Sequence, residues 1–202
     1  YANATFSEGN TQIVTGSGRE ASSSSTIYLT KGKWYWETKF LSSSAPFVGI
    51  QPIPSFGNSA SAAVLQLHGL GLLKTGKVET TNGSGGSTVL AQYATFTTND
   101  IIGVALDLDA NKIYFYKNGS ILGASGVSVT APASTRDGHY MVAVGNISGS
   151  DTIAVNFGNG YFATTAITTN SGNGYAGAEG ASKFNYAVPS GYSALSTKGL
   201  NL

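Results

Sequence analysis

The stretch DIIGVALDLDANKIYFYKNGSILG, residues 100–123, reads as a β-hairpin. From Ile101 to Leu108, the residues Ile102, Val104, Leu106 and Leu108 share one face, and Gly103, Ala105 and Asp107 share the other. Alternation with period two marks a strand. Asp109-Ala110-Asn111-Lys112 then reads as a turn, because Asp and Asn side chains hydrogen-bond their own backbone there. Ile113 to Lys117 returns as a second strand, and Asn118-Gly119 is a strong hairpin signal.

The same period recurs on either side of this hairpin. In WYWETKF, residues 34–40, Trp34, Trp36 and Phe40 fall on one face, with Tyr35, Glu37 and Lys39 on the other. This predicts an antiparallel strand that is greasy on one side and wet on the other. Phe47 to Ile50 makes a further short strand. Tyr140 to Val144 and Thr152 to Phe157 are expected to pair through a turn at Asn146 to Ser150, with Ile153, Val155 and Phe157 inward. Thr26 to Leu29, Val64 to Leu73 and Val89 to Phe96 are weaker strand candidates. No stretch sustains a helical period beyond about two turns. The expected fold is therefore all-β, a two-sheet antiparallel sandwich forming one domain over residues 1–202. Trp34, Trp36, Phe40, Ile102, Val104, Leu106, Ile113, Phe115, Ile153, Val155 and Phe157 are its expected core. The chain begins at Tyr1 without an initiator Met, which reads as a mature form or a part of a longer protein.

Charged residues make up only 10% of the chain, against roughly 25% in an average protein. Lys and Arg total 11, Asp and Glu total 10, and the net charge is +1. No basic stripe exists to neutralise phosphates, which argues against nucleic acid as a partner. No polybasic segment addresses anionic lipid. No apolar run approaches the ~20 residues that span a bilayer, so no membrane insertion is expected. There is no cysteine, hence no disulfide and no thiolate chemistry. A neutral surface rich in hydroxyls and amides suits a virion or an extracellular surface.

The residues offer little to catalysis. Glycoside hydrolysis needs two carboxylates held about 5 to 9.5 Å apart, and the only close pair in sequence is Asp107 and Asp109. Asp109 opens a turn, so capping and hairpin register account for both. Asp107-x-Asp109-x-Asn111 matches the first ligand positions of a calcium loop. That loop also requires Gly at its sixth position and Glu at its twelfth, where Lys112 and Asn118 stand. His68 and His139 are the only histidines, too few for a recognisable zinc site; His68, in an apolar strand candidate, reads as a satisfied core or edge residue. No serine sits in a Gly-x-Ser-x-Gly elbow. The expectation is a protein that is not an enzyme and uses no metal or cofactor.

Three motifs in order resemble the SPRY domain family. GKWYWETKF followed by FVGI (residues 32–40 and 47–50) resembles its opening strands, residues 100–123 its central hairpin, and VNFGNGYF (residues 155–162) its late strand. The ending FNYAVPSGYSALSTKGLNL, residues 184–202, is similar to the tail of SPRY-like domains in bacteriophage structural and tail-associated proteins. The resemblance implies a twisted sandwich with a binding or adhesive role, in a phage tail or capsid appendage. Its partner would be a protein or a cell-surface glycan, including other virion proteins or identical copies. A structural assembly subunit and a cellular SPRY adaptor recognising a peptide are the alternatives.

Fold alone names no ligand, so the long polar loops carry the site expectation. They are Ser42 to Pro46, Pro52 to Ala63, Thr80 to Thr88, Ala124 to Gly138 and Ala163 to Lys183, and a rigid sheet positions such loops for function. Phe56, Asn58, Arg136 and Tyr175 are the expected binding residues, with aromatics and Arg the common anchors of interfaces. Tyr161 and Phe162 are expected to plug the end of the sandwich.

Overall fold

A computed structural model describes residues 4–16, 21–52, 68–81, 86–168 and 174–196. The strands in chain order begin with β1 (Ala4–Ser7), β2 (Gln12–Thr15), β3 (Ala21–Ser24), β4 (Lys33–Phe40), β5 (Pro46–Gln51), β6 (Leu70–Leu73), β7 (Lys77–Thr81) and β8 (Ser87–Gln92). They continue as β9 (Ile101–Asp107), β10 (Lys112–Lys117), β11 (Ser120–Ser128), β12 (Met141–Asn146), β13 (Thr152–Asn156), β14 (Tyr161–Phe162), β15 (Thr165–Ala166) and β16 (Ser193–Ala194). A single 3₁₀ turn, Pro132–Ser134, is the helical element among the described residues.

Two antiparallel sheets form the sandwich. One runs β1-β2-β13-β4-β9-β10-β11, with β16 added in parallel along β4; the other runs β3-β12-β5-β6-β7-β8. Between them lies the core expected from the alternation. Trp36, Phe40, Val104 and Phe115 of the first sheet meet Val48, Ile50, Leu72 and Val142 of the second, all fully or almost fully buried. The hairpin β9–β10 forms as expected, with its turn one residue earlier, at residues 108–111, so that Leu108 lies in the turn and Lys112 opens β10. Trp34 and Phe157 depart from expectation, being only half-buried at the margins of this core.

The pairing of Tyr140–Val144 with Thr152–Phe157 does not occur. β12 lies in the six-stranded sheet and β13 in the other, so residues 147–151 cross between layers instead of turning a hairpin. The Asp151 carboxylate explains the crossing. It accepts hydrogen bonds from the Ser44 and Ala45 amides, which belong to the neighbouring crossover from β4 to β5. The two crossovers are thereby fastened side by side. Thr26 to Leu29 likewise forms no strand; Leu29 makes one isolated bridge with Tyr140. Ala124 to Gly138 is not wholly a loop, since β11 runs on to Ser128. Of the candidate Val64 to Leu73, residues 64–67 lie outside the described residues; Leu70–Leu73 is strand, and His68 sits in a turn at φ 65°.

The outer face of the larger sheet is the main departure. Tyr35, Glu37, Ala105 and Asp107 point away from the core, yet they are buried. A strap formed by residues 174–196 covers them. Phe184 packs edge-on against Tyr35 with ring centres 4.9 Å apart, and Tyr192 and Ala194 complete the cluster. Gly103 belongs to this design: a Cβ there would lie 2.4 Å from the Tyr35 hydroxyl, so only glycine leaves room for the ring. β13 pairs with β4 only over Glu37 to Phe40, and β16 takes the vacant edge beside Trp34 and Tyr35.

Candidate functional site

At one end of the sandwich the chain approaching β4 is held rigidly against the β9–β10 turn. The Gly32 amide donates to Asp109 Oδ1 (2.9 Å), and the Leu108 amide donates to the Gly32 carbonyl (3.0 Å). Asp107 caps the turn, its Oδ1 accepting from the Asp109 and Ala110 amides at 3.1 and 2.9 Å. Its Oδ2 pairs with Lys33 Nζ at 3.0 Å. That bond, reinforced by the Asp107 charge, holds the Lys33 ammonium above its ordinary pKa. The Trp34 indole N–H donates to the Lys31 carbonyl at 2.7 Å, which fixes the ring.

These ties frame a cleft of about 560 Å³ whose walls include Tyr28, Lys31, Trp34, Asp109 and Ser193. Ligand sites commonly have volumes of this order. Tyr28 stands at the lip, 59% exposed, and its ring packs on His139 with centres 4.3 Å apart. His139 belongs to residues 129–140, the segment that also carries Arg136. Pro52 and His68 lie at the same end: Gln51 pairs with Met141, and the His68 ring meets the Thr130 hydroxyl at 3.2 Å.

The expected binding residues are dispersed. Arg136 faces solvent with its side chain 72% exposed and 3.6 Å from Asp137. Tyr175 lies on the strap, bridged to Phe184 through backbone bonds of 3.0 and 2.7 Å. Phe56 and Asn58 lie outside the described residues. Tyr161 is exposed, whereas Phe162 is buried against Ile101, Ala154 and Ile167. The cleft residues Tyr28, Lys31 and Trp34 escaped the sequence reading for one reason. Alternation assigned Trp34 to the core and Tyr28 to a strand, and neither pattern marks where a strand stops being covered. The local signal was the Lys31-Gly32-Lys33 turn between two aromatics, with Gly32 at φ 88°.

The strongest electrostatic feature is elsewhere, beneath the strap. Glu37 is fully buried, and its two oxygens accept from the Asn185 and Tyr186 amides, each at 2.8 Å. The Tyr35 hydroxyl donates to it at 3.4 Å. Burial pushes the Glu37 carboxyl up to about 7, against the opposing pull of the amide donors. On the next strand Asn156 donates to the Lys183 carbonyl at 2.9 Å. Within the strap, Glu179 accepts from the Ser182 and Ala194 amides at 3.2 and 2.9 Å. These acids fasten the chain to itself. Asp107 and Asp109 are likewise engaged in turn capping. Among the described residues no group of three or more His, Cys, Asp or Glu is placed to hold a metal ion.

The family model of the SPRY domain matches residues 17–160, a span that includes the cleft residues Tyr28 to Trp34 and Asp109 and stops short of the strap, which adds Ser193. The SPRY domain of human HERC1 is similar in structure, with a TM-score of 0.55 and 17% identity, covering 75% of this chain and 91% of that one. Stonustoxin aligns at a TM-score of 0.49 and 17% identity, over 75% of this chain and 25% of its own. No curated protein matches the chain in sequence.

Proposed function

The chain belongs to the SPRY domain family, and on that premise we propose that it is a non-enzymatic recognition module whose partner docks at the cleft end of the sandwich. SPRY domains are in general protein-interaction modules, and the framed cleft is the observation that carries the proposal. Its floor at Gly32 and Lys33 is held by bonds to the hairpin turn, and the Trp34 ring is fixed by the Lys31 carbonyl, so little ordering entropy is lost there on binding. Arg136, on the segment that carries His139, widens the proposed contact, and Phe56 and Asn58, outside the described residues, are proposed as further binding residues. Tyr175 on the strap is a separate proposed contact.

The proposed setting is a virion surface, a phage tail or capsid appendage. Two observations support it: the charge-poor, hydroxyl-rich composition, and the Pro189-Ser190-Gly191-Tyr192-Ser193-Ala194-Leu195 segment, similar to phage SPRY-like tails.

Immunogold labelling of particles from the lysate that produces this chain tests the setting; label on the tail or capsid is expected. A chain found only free in the cytosol would return the reading to a cellular adaptor. The isolated chain should also compete with those particles for adsorption to host cells. A Tyr28→Ala, Lys31→Ala double variant should compete at least about ten-fold more weakly, with an unchanged thermal midpoint. Label on the particle without any competition would make the chain a structural subunit.

A further inference from the structure

The lining of the cleft points to a chemical class of ligand. Lys31, Lys33 and Asp109 are the charged side chains around it. Lys33 is neutralised by Asp107, which leaves one ammonium and one carboxylate, with no net charge. Thr30 and Ser193 add hydroxyls, and Tyr28 and Trp34 add aromatic rings.

The backbone of the same segment is already engaged. Leu29 exchanges both of its backbone bonds with Tyr140, at 2.8 and 2.9 Å. The Lys31 carbonyl serves the Trp34 indole, and both Gly32 groups serve the β9–β10 turn. A peptide binding by strand addition needs free main-chain donors and acceptors in a row, and this segment offers none at Leu29 or Gly32. Recognition here falls to side chains: ring faces, hydroxyls, an ammonium donor and a carboxylate acceptor.

We propose that the cleft binds a neutral glycan, with the Tyr28 ring stacking on a sugar face and Lys31 and Asp109 hydrogen-bonding its hydroxyls; this rests on the cleft being the docking site proposed above. A pyranose has an apolar face of C–H groups for the ring. Its hydroxyls both donate and accept, which matches the mixed pair of charges. An acidic ligand would face Asp109 as well as Lys31.

The test uses the full chain on an array of neutral and acidic oligosaccharides, followed by titration calorimetry with the strongest neutral ligand. Binding should fall at least about ten-fold in Tyr28→Ala and persist in Tyr28→Phe, which keeps the ring. It should change less than about two-fold as salt rises from ~50 to ~500 mM. Binding confined to acidic glycans with steep salt dependence overturns the proposal. So does glycan binding that tolerates Tyr28→Ala. If no glycan binds while the wild-type chain still blocks particle adsorption and the double variant does not, the glycan assignment fails and the docking site stands. If adsorption is unaffected as well, the docking site fails with it.

Discussion

The two faces of the eight-stranded sheet are both covered, and they are covered by different means. The inner face meets a second sheet through Trp36, Phe40, Val104 and Phe115, apolar side chains interlocked over many strands. The outer face meets a single strap through Tyr35, Phe184 and Tyr192, with a buried carboxylate at its centre. Apolar burial is non-directional and tolerates pH. A carboxylate clamp is directional and titrates. The inner face therefore sets whether the domain folds, and the outer face sets how firmly its C-terminal segment is held.

The largest expected effect comes from the inner face. Trp36→Ala should cost about 3 to 5 kcal/mol, through lost transfer energy and the cavity left behind. Urea unfolding measures this, and a loss below about 1 kcal/mol would break the proposed division of labour.

Titration of the outer face should come next. Glu37 has an ordinary carboxyl pKa of 4.5 when unfolded and about 7 when folded. Between these values the folded state holds the extra proton, so its stability falls as pH rises from about 4.5 to about 7 and levels off above. At about 1.4 kcal/mol per unit, the swing approaches about 3 kcal/mol. The unfolding midpoint followed from pH 4.5 to 8 should show this slope in wild type and lose it in Glu37→Gln. The same slope in both proteins would assign it to another group.

Gly103→Ala should be milder, about 1 to 3 kcal/mol, because the new Cβ displaces the Tyr35 hydroxyl and the ring must shift. Limited proteolysis sharpens the contrast: the variant should be cut within residues 174–196 before its core is cut. Tyr175→Ala should be the smallest, below about 1 kcal/mol, since the ring is 36% exposed and its ties to Phe184 are backbone bonds. A Tyr175→Ala cost as large as that of Trp36→Ala would make the strap part of the core.

The inner face was legible because period two is a local property: Trp36, Phe40 and Val104 can be recognised from their neighbours alone. The cover of the outer face was not, because the strap is rich in Ala, Gly and Ser and shows no strand pattern. Glu37 looked like a solvated residue for that reason. Gly103 and Ala105, small residues lying across from Glu37 and Tyr35, were the available hint that a bulky element packs there. The exchange of sheets between β12 and β13 was hidden for a related reason. It depends on Asp151 reaching Ser44 and Ala45, contacts over 107 and 106 positions of sequence that no window reading covers. The cleft fell between these cases, since its residues were visible and their exposure was not.

The parallel pairing of Ser193 with Trp34 has a consequence for biosynthesis. Chains leave the ribosome from the N-terminus at roughly 5 to 20 residues per second. On the order of ten seconds therefore separates the emergence of Trp34 from that of its last partner. Throughout that interval Glu37 is wet and ionised at neutral pH. When the strap arrives, the carboxyl passes to the environment that raises it to about 7. Closure of the strap at neutral pH thus takes up a fraction of a proton from the surrounding water, and more as the pH falls.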